Sequence, residues 1–261
     1  MGAVETGVSC PGCPHRAAYL VCRDALGRGR GRVLCGDAGC EHVGPMHPAA
    51  VTCPGGERAL LERYRVAVPQ RTPEGAPGAD ACIHLIPDTA LAAAHSAGVP
   101  DDLAGEGASV VLAVLASSPT LATREALEQL AERARELGAQ DAVAVDPFNA
   151  ADATAAIRAA LEAPGAHAVL FVSPCAQCID VEQLGGACEV DPFACVGCHR
   201  CKQVTGCPAL AFAPPSYRID ASTCAGCDLC AAQCRTHVIY SPRARLTAEQ
   251  RGQLRRQSAQ L

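Results

Sequence analysis

Apolar and polar residues alternate along the first part of the chain in blocks that indicate strands and helices in turn. Nearly continuous apolar runs predict buried strands at residues 32–35, 81–86, 109–115, 142–145 and 168–172. Apolar residues spaced three and four apart predict amphipathic helices at residues 89–97, 124–137 and 153–161, the second closed by Gly138 and the third capped by Asp152. This order predicts an α/β fold with a mostly parallel sheet, and chemistry is expected at the carboxyl edge of that sheet.

After residue 185 the periodic pattern gives way to closely spaced cysteines. Large apolar residues are too few there for an independent core, so something other than hydrophobic burial must hold this part together. After Pro242 the sequence is polar, and Thr247 is the predicted N-cap of a solvent-facing helix. We therefore predict an α/β domain over residues 1–185, a small domain over 186–241 and a polar tail over 242–261, with a loop at 65–78.

The composition excludes several classes of function. Of the 261 residues, 49% are hydrophobic and 19% are charged, which supports a folded core. The formal net charge of -5 offers no basic field to a nucleic acid, so no nucleic-acid partner is expected. No apolar run approaches the ~20 residues of a membrane helix, and the first residues do not follow the pattern of a signal peptide. We expect a cytoplasmic protein without a membrane span.

Cysteine is the unusual component, with 18 residues. Thiols in a reducing compartment usually serve metals or redox chemistry rather than disulfides. Two runs place a cysteine at every third position three times and add a fourth one further on. The first run is Cys195, Cys198, Cys201 and Cys207, and the second is Cys224, Cys227, Cys230 and Cys234. Three cysteines at this spacing can hold one cube of iron and sulfide, while the fourth reaches the neighbouring cube.

The two runs resemble the bacterial ferredoxins that carry two [4Fe-4S] clusters, and this resemblance implies the ligands of each cluster. One cluster would take Cys195, Cys198, Cys201 and Cys234, and the other would take Cys224, Cys227, Cys230 and Cys207. The chain departs from the family by five residues, instead of three, before Cys207 and by Arg235 in place of a proline. Zinc, or haem attachment at Cys-Val-Gly-Cys-His, would fit parts of this pattern, but neither explains two repeated triplets.

A third group of cysteines is spread along the predicted α/β domain. Cys10 and Cys13 precede a helix, Cys40 follows one strand, and Cys175 follows another. Because these positions fall at one edge of the predicted sheet, their four thiols can converge there. Such a set could hold a third cluster or a zinc ion.

The segment Cys-Pro-Gly-Cys-Pro-His-Arg at residues 10–16, followed by Gly-Asp-Ala-Gly-Cys at 36–40, is similar to the large subunit of indolepyruvate:ferredoxin oxidoreductase. The order of segments agrees along almost the whole chain with the thiamine-diphosphate-binding domain of that subunit and its appended ferredoxin domain. The resemblance implies a sheet of thiamine-diphosphate-binding type followed by a small α+β domain of bacterial-ferredoxin type. It also implies a third [4Fe-4S] cluster on Cys10, Cys13, Cys40 and Cys175, with zinc as the alternative.

The chain departs from this family where magnesium and thiamine diphosphate bind. The family supplies Gly-Asp at one strand end and Asp-Asn at the next, whereas this chain has Pro87-Asp88 and then Ala116-Ser117. Asp88 alone remains as a candidate oxygen ligand, and Mg²⁺ requires near-octahedral oxygen coordination. We also expect the chain to lack the family's front domain. We therefore expect a degenerate thiamine site and no thiamine catalysis by this chain alone.

These observations predict an iron-sulfur electron-transfer subunit of an oxidoreductase complex. Its expected partners are a redox protein such as a ferredoxin and another oxidoreductase subunit. One alternative is a thiamine-diphosphate-dependent 2-oxoacid:ferredoxin oxidoreductase subunit that needs a separate partner chain. A second alternative is a non-catalytic iron-sulfur sensor or scaffold.

The remaining cysteines divide into three kinds. Cys22, Cys35 and Cys82 fall within helix or strand patterns and are predicted to pack in the core. Cys178 and Cys188 are predicted to lie beside the third group, where they could be alternative ligands. Cys53 has no predicted role.

Overall fold

A computed structural model of the chain describes residues 9–27, 32–36, 40, 81–94, 109–118, 123–163 and 165–259. The predicted loop at 65–78, Cys53 and the end of the helix predicted at 89–97 lie outside these ranges. Across the described ranges, no helix has the length and apolar character needed to cross a membrane.

The first part of the chain alternates helices with strands, as the sequence pattern predicts. Its elements are α1 (Pro14–Leu26), β1 (Arg32–Gly36), β2 (Ala81–Pro87), α2 (Asp88–Ala94), β3 (Ser109–Ala116), α3 (Arg124–Glu136), β4 (Ala142–Val145), α4 (Ala150–Glu162) and β5 (Gly165–Val172). The five strands form one parallel sheet in the order β1-β2-β3-β5-β4. The α/β fold class is confirmed, and this sheet is consistent with the thiamine-diphosphate-binding type.

Helices cover both faces of the sheet, because the central strands are apolar on both sides. Along β3, the even-numbered residues from Val110 to Val114 pack in one core with α2 and α3. The odd-numbered residues from Val111 to Leu115 pack in a second core with α1 and α4. Successive side chains of a strand point to opposite faces, so one apolar run supplies two cores. Cys22 on α1 is fully buried in the second core, as predicted.

One predicted helix boundary is wrong. Asn149, and not Asp152, is the N-cap of α4, and its side chain accepts a hydrogen bond from the backbone N–H of Asp152 at 3.5 Å. Asn and Asp are about equally good caps. The two alanines after Asn149 extend the helix toward its N-terminus, which leaves Asp152 in the first turn, where its charge is still favourable.

The second part of the chain consists of short elements around sulfur. These are β6 (Glu189–Val190), α5 (Arg200–Thr205), β7 (Leu210–Ala213), β8 (Ser216–Ile219), α6 (Leu229–Ala232) and β9 (Ile239–Tyr240). Strand β6 pairs antiparallel with β9, and β7 pairs antiparallel with β8. The buried core of this part consists of Cys188, Cys201, Leu210, Tyr217, Cys230 and Ile239. Half of this small core is thiol, as expected of a unit that hydrophobic burial alone would not hold together.

The last helix, α7 (Ala248–Gln257), begins at the predicted N-cap. The Thr247 hydroxyl accepts from the backbone N–H of Gln250, and the Gln250 side chain accepts from the backbone N–H of Thr247. The expectation that this helix faces solvent is wrong for part of its surface. Arg255 is 4% exposed, and its guanidinium carbon lies 3.7 Å from the centre of the Phe148 ring. The buried charge therefore forms a cation–π contact.

We predict that the stability of the fold depends strongly on Ile157, a residue of α4 that is fully buried in the second core. Replacing Ile157 with Ala removes apolar contacts and leaves a cavity, and we expect a loss of about 2–5 kcal/mol in the free energy of unfolding. Val143→Ala, at a half-exposed position of β4, should cost less than about 1 kcal/mol. Chemical denaturation of both variants tests this, and equal losses would contradict the assignment of the core.

Candidate metal centres

Four cysteines line a first cavity in the second part of the chain. They are Cys195, Cys198, Cys201 and Cys234. Apolar and aromatic side chains, including Val190, Ile239 and Tyr217, complete the lining. The cavity therefore presents soft sulfur donors within apolar surroundings.

A second cavity is lined by five cysteines. Four of them are Cys207, Cys224, Cys227 and Cys230, and the fifth is Cys188. This cavity also touches the first part of the chain, because Pro11, Gly12 and Arg16 contribute to its lining.

The two cavities divide the eight cysteines of the two runs in a crossed manner. The first cavity takes the triplet of the first run and the last cysteine of the second run, and the second cavity takes the converse set. This division is the one that the resemblance to ferredoxins implies. The third cysteine of each triplet lies in a short helix, α5 or α6, and the last cysteine of the run comes shortly after the end of that helix, at the other cavity.

The two triplets share one backbone conformation. In each loop the glycine before the second cysteine and the residue after it have positive φ: Gly197 and His199 at 62° and 61°, Gly226 and Asp228 at 60° and 64°. A left-handed conformation costs about 1–2 kcal/mol in a non-glycine residue. Loops of this kind turn backbone N–H groups into concavities that bind anions, among them iron-sulfur groups.

The thiols of these cavities differ in their acidity. Burial raises the pKa of Cys227 to about 11, and burial also raises the pKa of Cys201. Burial opposes ionisation of Cys234 too, but hydrogen bonds from Thr236 and nearby backbone amides lower its pKa below the ordinary value. A metal binds the thiolate, so loading of either cavity requires the release of protons from these buried groups.

The third group of cysteines gathers at the carboxyl edge of the sheet. Cys13 is the N-cap of α1, and its backbone N–H donates to the carbonyl of Cys10 at 3.2 Å. The backbone N–H of Cys175 donates to the carbonyl of Ser117 at 3.0 Å, which joins the ends of β5 and β3. Burial raises the pKa of Cys175, and the neighbouring thiols of Cys178, Cys10 and Cys40 raise it further.

These interactions bring the four predicted residues of the third group to one edge of the sheet. Cys178 lies beside them, as predicted, and its backbone N–H donates to the carbonyl of Cys175 at 3.0 Å. The side-chain amide of Gln177 donates to the sulfur of Cys10 at 3.1 Å. Cys35 and Cys82 fall on β1 and β2, but the prediction for their side chains lies outside the described part of the chain.

The loop between Cys10 and Cys13 also contacts the second cavity. Gly12 has a φ of 72°, and a Cβ at this position would lie 2.6 Å from the Cβ of Ala225 and 3.6 Å from that of Cys227. Only glycine allows both this conformation and this close approach. The third group of cysteines therefore neighbours the second cavity.

Asp88 lies at the same carboxyl edge, but its surroundings do not suit a magnesium ion. Its carboxylate accepts from the backbone N–H of Thr89 at 2.8 Å, and burial raises its pKa. At the next strand end, where the related family supplies a second acidic group, the Ser117 hydroxyl forms a hydrogen bond of 3.0 Å with Nε2 of His15. The described residues therefore do not fit the magnesium ion of thiamine diphosphate.

Cys188, which was predicted to lie beside the third group, lines the second cavity, and Pro11 and Gly12 from the loop between Cys10 and Cys13 line the same cavity. Strand β6 follows it directly and pairs with β9, which draws Cys188 into the sulfur-rich core. Its Sγ donates to Oδ1 of Asp228 at 3.2 Å. Hydrogen bonding with Cys224 lowers the pKa of the Cys188 thiol, but hydrogen bonding with Cys230 and burial raise it above its ordinary value.

A buried ion pair beside the second cavity was missed by sequence reasoning. Nη2 of Arg243 donates to Oδ1 of Asp228 at 2.8 Å, and the two side chains are 4% and 9% exposed. Nη1 of Arg243 donates to the carbonyls of Leu184 and Gly186 at 2.7 and 2.8 Å. Although burial opposes it, hydrogen bonding from Arg243 and Ser241 lowers the pKa of Asp228. The sequence did carry one signal of this ion pair, because Asp228 is an acidic residue between two cysteines of the second triplet.

In the part of the chain that the structure describes, no group of three or more His, Cys, Asp or Glu side chains is arranged to hold a single metal ion. In a cube of iron and sulfide, each thiolate binds a different iron atom, so the four sulfurs stand farther apart than around one ion. The donor sets consist of thiols, which are ligands of both iron-sulfur clusters and zinc.

The ion pair yields a prediction about stability. Arg243→Met leaves the carboxylate of Asp228 buried without its cation, and we expect a loss of about 3–5 kcal/mol in the free energy of unfolding. The matched control is Arg23→Met, which breaks the exposed Arg23–Asp24 pair and should cost at most about 1 kcal/mol. Adding Asp228→Asn to Arg243→Met should recover part of the loss. Denaturation curves that show equal losses for the two single variants would contradict this account.

No family model matches the chain. The chain is similar to the indolepyruvate oxidoreductase subunit IorA of Archaeoglobus fulgidus, with 25% identity over an alignment of 255 positions. The alignment covers 89% of this chain and 39% of the relative, so this chain spans about two fifths of the length of that protein. The similarity supports a relation between this chain and that subunit family.

Proposed function

We propose that this chain is an iron-sulfur electron-transfer subunit of an oxidoreductase complex and that it resembles the C-terminal part of indolepyruvate:ferredoxin oxidoreductase. The observation that carries the proposal is the crossed division of eight cysteines between two cavities. Each cavity thereby receives a complete set of four thiols for a [4Fe-4S] cluster. The similarity to a subunit named for indolepyruvate oxidoreductase supports the redox class.

A bound [4Fe-4S] cluster supplies one-electron transfer. The residues of this chain shield part of the sulfurs from water and set the local charge. Cys201 and Cys230 are buried, and apolar residues such as Ile239 separate the first cavity from solvent. Hydrogen bonds to sulfur, such as that between Thr236 and Cys234 at 3.6 Å, tune the potential of such a group.

We further propose that Cys10, Cys13, Cys40 and Cys175 hold a third [4Fe-4S] cluster, with zinc as the rival occupant. The packing of Gly12, from the loop between Cys10 and Cys13, against the Ala225–Cys227 segment supports a relay, because it places the third group next to the second cavity. Electrons would pass between the sheet edge and the second cavity, and from there to the first.

The surroundings of the first cavity support an exit to another redox protein. Phe193 and Val196, which flank Cys195, are 98% and 68% exposed, and Cys198 is exposed. Exposed apolar side chains beside a redox centre are typical of a surface that another protein covers for a short time. We propose a ferredoxin-like redox protein at this surface and at least one further oxidoreductase subunit in the complex.

The proposal keeps the division of the chain into an α/β domain over 1–185, a ferredoxin-type domain over 186–241 and a tail over 242–261. It assigns no catalytic residue to this chain. Substrate chemistry belongs to a partner subunit, because the edge at Asp88 and Ser117 does not fit magnesium and thiamine diphosphate.

Iron analysis of the full chain, purified without oxygen, tests the proposal directly. We expect about eight iron atoms from the two cysteine runs and about four more from the third group. Replacing both Cys224 and Cys227 with Ala should remove about four of them. Cys22→Ser, which changes a buried thiol of the α/β core, should leave the iron content unchanged. A colourless preparation without iron would refute the proposed function.

The third group has its own test. Replacing both Cys10 and Cys13 with Ala should remove about four iron atoms and leave about eight, because the two other donor sets stay complete. Metal analysis of wild type and variant measures this change. Wild type with about eight iron atoms and one equivalent of zinc, lost in the variant, would assign this group to zinc and remove it from the relay.

A further inference from the structure

A buried arginine of the first part of the chain lines the second cavity. Arg16 lies in the first turn of α1 and is 2% exposed. Its Nε donates to the hydroxyl of Ser9 at 2.8 Å, and its Nη2 donates to the hydroxyl and the carbonyl of the same residue. Its Nη1 is buried and has no hydrogen-bond partner in the described part of the chain.

The charge of Arg16 is not balanced by a carboxylate. Among the described residues no ion pair includes Arg16, whereas Arg243, beside the same cavity, has its partner in Asp228. A buried guanidinium stays protonated, and it is costly unless an anionic group lies near it. The cavity that Arg16 lines carries five thiols. An anionic sulfur group in this cavity would supply both the missing charge and the missing acceptor.

We propose that Arg16 is a positioning residue of the second cavity, whose Nη1–H donates a hydrogen bond to a sulfur of the cluster bound there and whose charge favours the reduced state. The inference rests on the proposed function. Reduction adds one electron from the redox partner and no proton, and the arginine stays protonated in both states. With its four thiolate ligands the cluster carries a net negative charge, and reduction by one electron increases that charge. A fixed cation nearby therefore stabilises the reduced form.

The geometry of the first segment explains why an arginine serves here. The planar guanidinium group of an arginine is a fork with five N–H donors in fixed directions. Ser9 holds one side of the fork, Nη1 on the other side has no partner among the described residues, and Arg16 lines the cavity. Ser9 precedes Cys10, and Arg16 follows Cys13 by three residues. The segment that supplies two ligands of the third group therefore also supplies the cation of the second cavity, which couples the potentials of neighbouring centres.

The test compares Arg16→Gln with Arg23→Gln in the full chain purified without oxygen. Arg23 lies on the same helix but is paired with Asp24 near the surface. Redox titration followed by electron paramagnetic resonance gives the midpoint potential of each centre. The Cys224→Ala, Cys227→Ala double variant identifies the signal of the second cavity. We expect Arg16→Gln to lower the ratio of reduced to oxidised second centre about tenfold at a given potential, a shift of about 59 mV for one electron. The first centre, and both centres in Arg23→Gln, should not shift.

If Arg16→Gln does not fold, a spectroscopic measurement on the wild-type protein can test the hydrogen bond directly. In wild type grown with ¹⁵N-labelled arginine, pulsed paramagnetic resonance of the reduced second centre should show a coupled arginine nitrogen. That coupling should be lost in Arg16→Lys, which keeps the charge. A lower melting temperature with unchanged potentials, or an arginine coupling that survives in Arg16→Lys, would overturn the inference. Wild type that binds no iron would refute the proposed function itself, before any variant is compared.

Discussion

The close contact between Gly12 and the Ala225–Cys227 segment joins the two parts of the chain. On one side of this contact lies the carboxyl edge of the parallel sheet, and on the other lies the loop of the second cysteine triplet. Protein interiors are close-packed, so a loop that approaches this near fixes the position of what it carries. Cys10, Cys13 and Arg16 are all held in place by this one segment. The relation of the third group to the second cavity depends on this contact more than on any other.

The sheet could be predicted from the sequence because its signal is local. A run such as Val110–Leu115 is apolar at every position, and only a strand covered on both faces needs that pattern. The predicted bounds of β4 agree with the structure, and β5 begins at Gly165, a few residues earlier than predicted. The grouping of the triplets also follows from local spacing. The predicted start of α4 was wrong because Asn149 and Asp152 are both good capping residues, and the sequence alone does not show which of them begins the helix.

The features that sequence reasoning missed all depend on tertiary contacts. Cys188 follows no recognisable spacing, and only the pairing of β6 with β9 brings it to the second cavity. Arg16, Arg243 and Arg255 are buried, although a charged residue in a sequence is usually solvated. Each of these arginines contacts a particular group: Arg16 the Ser9 hydroxyl, Arg243 the Asp228 carboxylate and Arg255 the Phe148 ring. None of these partners is close enough in sequence to be recognised from a pattern.

The last helix changes how the end of the chain should be regarded. Its polar composition resembles that of a dispensable extension, yet Gly252 packs where a Cβ would lie 2.4 Å from Oδ2 of Asp146. The positive charge of Arg255 also opposes the rise in the pKa of Cys227 that burial causes. Removing this helix would therefore change the electrostatics of the second cavity as well as shorten the chain, because it would take a cation away from the thiol of Cys227 while every cysteine remained in place.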